Sequence, residues 1–316
     1  MKWLMRSKNL VIPFLFLLTL CTFSHAADLG IVTGSKTGTY YQFGLDIKEI
    51  LNDSPINLQV HTSKGSLANM YAVLKEPKAQ LAIVQSDVLK FLSSKEDSES
   101  RRMVKKTRMV YPLYNEEVHI LARVDVSDFY DLEGRKVAVG GRGSGTFLTA
   151  KTLLNLAGIK IDAVYEGGKT ALQMLKDGQI DAMFYVAGFP VSLFKDSVSL
   201  TDDLKLLEIT DKSITEFYVP SKIPASAYSW MKDDVNSVAV KAVIMTFDYK
   251  GDNCHNVYLV GKAIKENLPV LKRNGHPKWN QVDLDYTLTG WKKYGCLKNG
   301  TSDGAADWLK NITEGI

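Results

Sequence analysis

Two small-residue loops, about a hundred residues apart, each join a short apolar run to a helical pattern. The first is Gly34-Ser35-Lys36-Thr37-Gly38-Thr39-Tyr40-Tyr41, after the apolar run 29–32. The second is Gly140-Gly141-Arg142-Gly143-Ser144-Gly145-Thr146-Phe147, after 136–139. A chain that leaves a strand through glycines into a helix has unpaired backbone N–H groups at the helix start. The helix dipole adds positive charge there, so the start is suited to an anion. Two such starts in one chain predict a ligand held from two sides.

The surrounding periodicity repeats once. Strands are predicted at 29–33, 56–62 and 80–85, with helices at 40–51, 67–74 and 87–92 between and after them. A third turn, Ser63-Lys64-Gly65-Ser66, opens the helix at 67. The second unit has strands at 136–139, 162–165 and 180–186 and helices at 146–156 and 170–176, the helices ending at Gly158 and Gly178. Two β-α-β-α-β runs imply an α/β fold of two lobes, each a mostly parallel sheet flanked by helices. Ligands of open α/β sheets bind beyond the carboxyl ends of the strands, where the glycine turns sit, so the turns face a cleft. Between the units, 93–106 mixes both charges and reads as a solvated loop. Residues 109–123 read as extended chain broken near Pro112 and Asn115-Glu116. Further on, 204–209 and 215–219 look extended, with breaks at Pro220 and Pro224. A β-branched run at 237–246, helices at 257–267 and 269–273, and a tail ending in a helix at 305–311 complete the chain.

The first 26 residues read as a cleavable secretory signal. Lys2, Arg6 and Lys8 precede the apolar run 10–20, and Ser24-His25-Ala26 offers small residues before a cut near Ala26. The run is too short to span a bilayer. Cys21 follows Leu20 rather than a small residue, which argues against a lipoprotein. Export to the periplasm changes the charge balance. The whole chain has 39 Lys and Arg against 35 Asp and Glu; without the three leader cations, 36 face 35. Near neutrality removes the case for nucleic acid. The cysteines left, Cys254 and Cys296, are expected to pair in an oxidising compartment. No Cys/His cluster has zinc spacing, and no metal or cofactor is expected.

Catalysis finds little support. The loop 140–146 lacks the Gly-Lys-Ser/Thr ending of a phosphate-binding loop, and 34–40 is not Gly-x-Gly-x-x-Gly. Ser144 lacks the spacing of a nucleophile elbow, and no His/Asp arrangement is readable beside it. A bilobed, exported, non-enzymatic protein is most simply a solute receptor that closes on its ligand by a hinge.

The motifs in order resemble the TAXI family of solute receptors, the extracytoplasmic subunits of one branch of TRAP transporters. The matching stretches are 34–41, 62–69, 79–86, 131–140, 143–146, 171–190, 218–224 and 258–268, which keep their order and are spread along nearly all of the chain after the leader. The resemblance implies a type II periplasmic-binding-protein fold. Lobe 1 would be 27–114 plus 211–316, and lobe 2 would be 115–210. It also implies a monomer that captures a small anionic solute, a glutamate-like amino acid or a dicarboxylate, and delivers it to TRAP membrane permease subunits. A ligand sensor coupled to a signalling partner and an ABC-importer receptor are the alternatives on the same fold. Thr37 departs from the family's usual glycine, and a β-branched residue resists positive φ. Ser229-Trp230 stands where small turn residues are expected.

Carboxylate donors are expected from Ser35, Gly38, Thr39 and Tyr40 at the first helix start. Lys64, Gly65 and Ser66 would add the third turn, Gln85 a strand-end amide, and Ser144, Gly145 and Thr146 the second lobe's turn. Arg142 can supply a bidentate fork or face solvent, and Lys36 is expected outside. Tyr185 and Phe189 can wall the pocket or belong to the core, while Asp181 is expected to make a structural contact.

Overall fold

The computed structural model describes residues 26–36 and 38–298. The leader, Thr37 and the expected helix at 305–311 lie outside these, apart from Ala26. The first unit is β1 (Ala27–Val32), α1 (Thr39–Glu49), β2 (Ile56–His61), α2 (Ser66–Lys75), β3 (Leu81–Gln85), α3 (Val88–Ser93) and α4 (Ser98–Lys106). A 17-residue strand, β4 (Thr107–Arg123), leads into the second unit. That unit is β5 (Lys136–Ala138), α5 (Gly145–Ala157), β6 (Asp162–Val164), α6 (Gly168–Lys176), β7 (Ala182–Ala187) and α7 (Ser192–Ser197). The chain then returns through β8 (Leu204–Leu206), α8 (Lys212–Thr215), β9 (Val219–Ile223), β10 (Val235–Phe247), α9 (Asp252–Glu266) and α10 (Leu268–Asn274).

The strands form one hydrogen-bonded path, β2-β1-β3-β10-β4-β7-β5-β6, with β8 added beside β4 and β9 beside β10. The two ends are parallel, β2-β1-β3 and β7-β5-β6. The centre is antiparallel, because β4 and β10 carry the chain from one half to the other and back. Helices cover both faces of each half, so four apolar clusters result. In the first half, Ile31, Phe43, Ile47 and Trp279 pack on one face and Met70, Val84 and Leu92 on the other. In the second, Val137, Leu153 and Phe184 pack on one face and Leu172, Met183 and Phe194 on the other. Parallel strands buried on two faces read as continuous apolar runs, as Leu81-Ala82-Ile83-Val84 does. Cys254 and Cys296 form a disulfide that ties α9 to the turn Gly295–Leu297.

Four local expectations need correction. The charged segment 93–106 is helical from Ser98: Asp97 accepts from the Ser100 N–H at 2.8 Å, and Met103 is fully buried. The signal was an N-cap Asp ahead of a helix, hidden by the charge density. The extended run 109–123 is unbroken. Pro112 is accommodated where the β4–β10 register shifts, and Asn115 and Glu116 pair regularly with Lys241 and Val240. Residues 212–215 are helical rather than extended at 215, because Asp211 accepts from the Ser213 N–H at 2.7 Å. Pro220 then sits inside β9, whose pairing is with β10. Trp230 is core rather than turn: it stacks on Tyr228 at 5.1 Å and donates Nε1–H to the Phe194 carbonyl.

Candidate functional site

The starts of α2 and α5 meet at one seam between the halves, and α1 reaches it through the Tyr40 side chain. Gly65 opens α2 with φ +115°, a conformation that favours glycine, and its N–H donates to Ser63 Oγ at 2.8 Å. A Cβ on Gly65 would lie 3.3 Å from both the Gly145 nitrogen and Ser144 Cα, atoms of the second unit. The Ala68 N–H donates across the seam to the Gly143 carbonyl at 3.2 Å. A Cβ on Gly145 would lie 2.0 Å from Gln85 Oε1 and 2.8 Å from Ser66 Oγ. Two glycines thus let two turns touch backbone to backbone. Leu148, one turn into α5, belongs to the first half's apolar cluster. The halves stand closed on each other.

The expected residues divide between this seam and the surface. Ser66 and Gln85 are buried within it, and the Gln85 N–H donates to Ser66 Oγ at 3.0 Å. Ser144 caps α5, its Oγ accepting from the Phe147 N–H at 3.1 Å. Thr146 Oγ1 accepts from the Val186 N–H at 3.2 Å. Tyr40 donates to Glu116 Oε2 at 2.7 Å. Gly38 begins α1 with no side-chain cap among the described residues, and Thr39 is half-buried at its first position. Ser35, Lys36 and Lys64 are exposed. Arg142 is exposed and lies 3.6 Å over the Tyr165 ring. Tyr185 packs on Phe194 at 5.4 Å, and the Phe189 N–H donates to Glu117 Oε2 at 3.2 Å. Asp181 accepts from the Lys136 N–H at 3.0 Å, a structural contact between β7 and β5.

The strongest polar groups at the seam are ones the sequence reading passed over. Asp87, just after β3, accepts at Oδ2 from Thr149 Oγ1 at 2.8 Å and from the Tyr218 hydroxyl at 3.0 Å. Both donors lie beyond β4 in the chain. Burial pushes the Asp87 carboxyl up to about 6, against the lowering effect of those two hydrogen bonds. Glu116 and Glu117 lie where β4 leaves β10 for β7. As neighbours on a strand they point to opposite faces: Glu116 to Tyr40, Glu117 to Phe189 and to Lys278, whose Nζ is 3.9 Å away. Burial pushes Glu116 up to about 8, and it raises Glu117 as well. His119, fully buried, is pushed down to about 4 by the loss of solvent. Its neutral ring bridges the Glu117 carbonyl at Nδ1 and the Tyr228 hydroxyl at Nε2, 3.0 and 2.9 Å away. With Nδ1 carrying the hydrogen, Tyr228 donates to Nε2 and accepts from the Val191 N–H at 2.9 Å. The available signal was an acidic pair and a histidine at the head of the apolar stretch Val118-His119-Ile120-Leu121-Ala122 of one strand.

A sheet in two parallel wings, joined by antiparallel crossing strands and closed over a polar seam, defines the two-lobed fold of periplasmic binding proteins. Residues 31–292 match the NMT1-like family, and the chain belongs to it. Solved structures share the fold at low identity. The protein MatC from Rhodopseudomonas palustris with bound malate superposes with a TM-score of 0.53 at 16% identity, covering 82% of this chain and 90% of that one. The periplasmic binding protein BugD gives 0.51 at 13%, covering 90% and 96%. A further periplasmic transporter structure gives 0.50 at 14%, covering 91% and 96%. What the chain shares with these neighbours is the fold.

Proposed function

We propose that this protein is an exported receptor that captures a small anionic solute, a glutamate-like amino acid or a dicarboxylate, and delivers it to a TRAP-type membrane transporter. The observation that carries the reading is the convergence of helix starts from both halves on one seam, through the Gly65–Gly145 approach and the Ala68–Gly143 hydrogen bond. Helix starts that meet across a hinge can bind a carboxylate only when the halves close, which couples capture to shape. Lobe 1 comprises 27–114 and 211–316 and lobe 2 comprises 115–210; the first boundary falls within β4, beside Glu116. The malate of the MatC complex is a solute of the proposed class. The ordered motifs shared with TAXI receptors support the transporter partner.

The test is a thermal-shift and calorimetry screen of the protein against amino acids, dicarboxylates and sugars. A micromolar ligand at millimolar concentration stabilises the native state by roughly 4 kcal/mol. Anionic solutes are expected to raise the melting temperature; a response to neutral sugars alone overturns the reading. Thr146→Val combined with Gly145→Pro is expected to weaken binding strongly and, by taking the acceptor from the Val186 N–H and crowding Gln85, to lower the ligand-free melting temperature as well.

A further inference from the structure

Two carboxyls of the seam are buried with no cation in ion-pair contact among the described residues. Lys278 approaches Glu117 and donates to Gln281 Oε1 at 3.1 Å, and its charge reaches Glu116 only at longer range, as the weakest of the influences on that carboxyl, whereas neither Asp87 nor Glu116 joins an ion pair among the described residues. Glu116 is 5% exposed. Burying an unpaired carboxylate is costly unless a positive partner arrives.

A second observation points to an occupant. Tyr114 is fully buried, and among the described residues its hydroxyl has no hydrogen-bond partner. Tyr114 and Glu116 are two apart on β4, so their side chains leave the same face. The tyrosine hydroxyl lies within the field of Glu116 and beside the Thr39 side chain, without good hydrogen-bond geometry to either. Asp87 Oδ1 is likewise buried and unpartnered, and Asp87 is near enough to Glu116 to raise its proton affinity. The open positions are therefore oxygens able to accept, set in negative potential. No group of three His, Cys, Asp or Glu among the described residues is arranged to hold a metal ion. An organic ammonium, with three donors on a compact positive charge, matches such a set.

We propose that Asp87, Glu116 and Tyr114 form the subsite for a protonated amine on the captured solute, so that the receptor takes amino acids and rejects their amine-free counterparts. This rests on the receptor reading above and divides its two ligand classes. The ligand carboxylate belongs at the start of α1, which has no side-chain cap among the described residues, beside Tyr40, and the ammonium belongs at Glu116.

The experiment pairs each L-amino acid with its des-amino acid, for example glutamate with glutarate, in a thermal-shift panel followed by calorimetry on the best pair. The amino acid is expected to bind at least about 100-fold more tightly than its partner, the size of a buried charge pair. Glu116→Gln and Asp87→Asn are each expected to lose at least about 10-fold in amino-acid affinity, with des-amino binding unchanged or improved. Wild-type protein supplies a readout that needs no variant. An ammonium beside Glu116 favours its ionised form, so binding at pH 7 should release up to about one proton, measured in two buffers of different ionisation heat. Equal affinity within the pairs, or proton uptake, overturns the amine subsite and leaves the receptor reading standing. Failure of every compound in both panels to bind brings down both.

Discussion

Glu116 sets the pH behaviour of the seam. Its carboxyl is held at about 8 by burial, far above the usual 4.5 of a glutamate. Between pH 8 and 6.5 the unfolded chain keeps this group ionised while the native protein takes up a proton. The native state then binds more protons, so stability rises as pH falls through this window. Below pH 6.5 His119 opposes the trend, because its depressed value of about 4 keeps it neutral in the native state while the unfolded imidazole charges. The melting temperature is expected to climb by several degrees from pH 8 to 6.5, and Glu116→Gln is expected to flatten that slope. The glycines act by what they leave out. Gly145→Ala puts a methyl 2.0 Å from Gln85 Oε1; it is expected to hold the seam open and to weaken the best-binding solute about 10-fold or more, with a small change in ligand-free melting temperature. Neither residue's role can be read locally. Glu116 follows Pro112 and Asn115 in what reads as a broken strand, and a glycine in a turn does not say which atom of another segment it must admit.

At the scale of elements, the turn chemistry was legible and its consequences were not. Ser144 is an N-cap by residue type and by position, and it caps α5. Ser144→Ala is expected to cost about 1 kcal/mol in urea unfolding, the usual value of such a cap. Helices α5 and α6 stop where Gly158 and Gly178 adopt positive φ. By contrast, α4 and α8 were missed because their caps, Asp97 and Asp211, stand in short polar stretches with little apolar periodicity. The crossing strands were underestimated for a different reason. Strand β4 changes partners from β10 to β7 near Glu117, and only pairing on both sides explains how Pro112 and two glutamates persist in one extended segment. Thr149 of α5 and Tyr218, ahead of β9, both donate to Asp87. A Tyr218→Phe, Thr149→Val double variant removes both donors and should raise the proton affinity of Asp87 further, read as a carboxyl titration midpoint moved to higher pH in NMR.

For the whole molecule, the disulfide and the seam are the long-range ties. Cys254 and Cys296 close a loop with a sequence separation of 42. The chain-entropy model gives that closure roughly 4 kcal/mol, so reduction or a Cys254→Ala, Cys296→Ala double variant is expected to lower the denaturation midpoint by a corresponding amount. What the sequence by itself determined was everything that depends on near neighbours along the chain: alternating strands and helices, glycine turns at helix starts, a cysteine pair, and hence an α/β fold in two units. Which groups confront one another across the halves was decided by the tertiary structure. Asp87, Tyr114, Glu116 and Tyr218 are separated by up to 131 positions, and hydrophobic periodicity carries no information about such pairings. The same closure that brings these oxygens together removes their water. A carboxyl's charge preference then depends on partners that only the folded chain supplies.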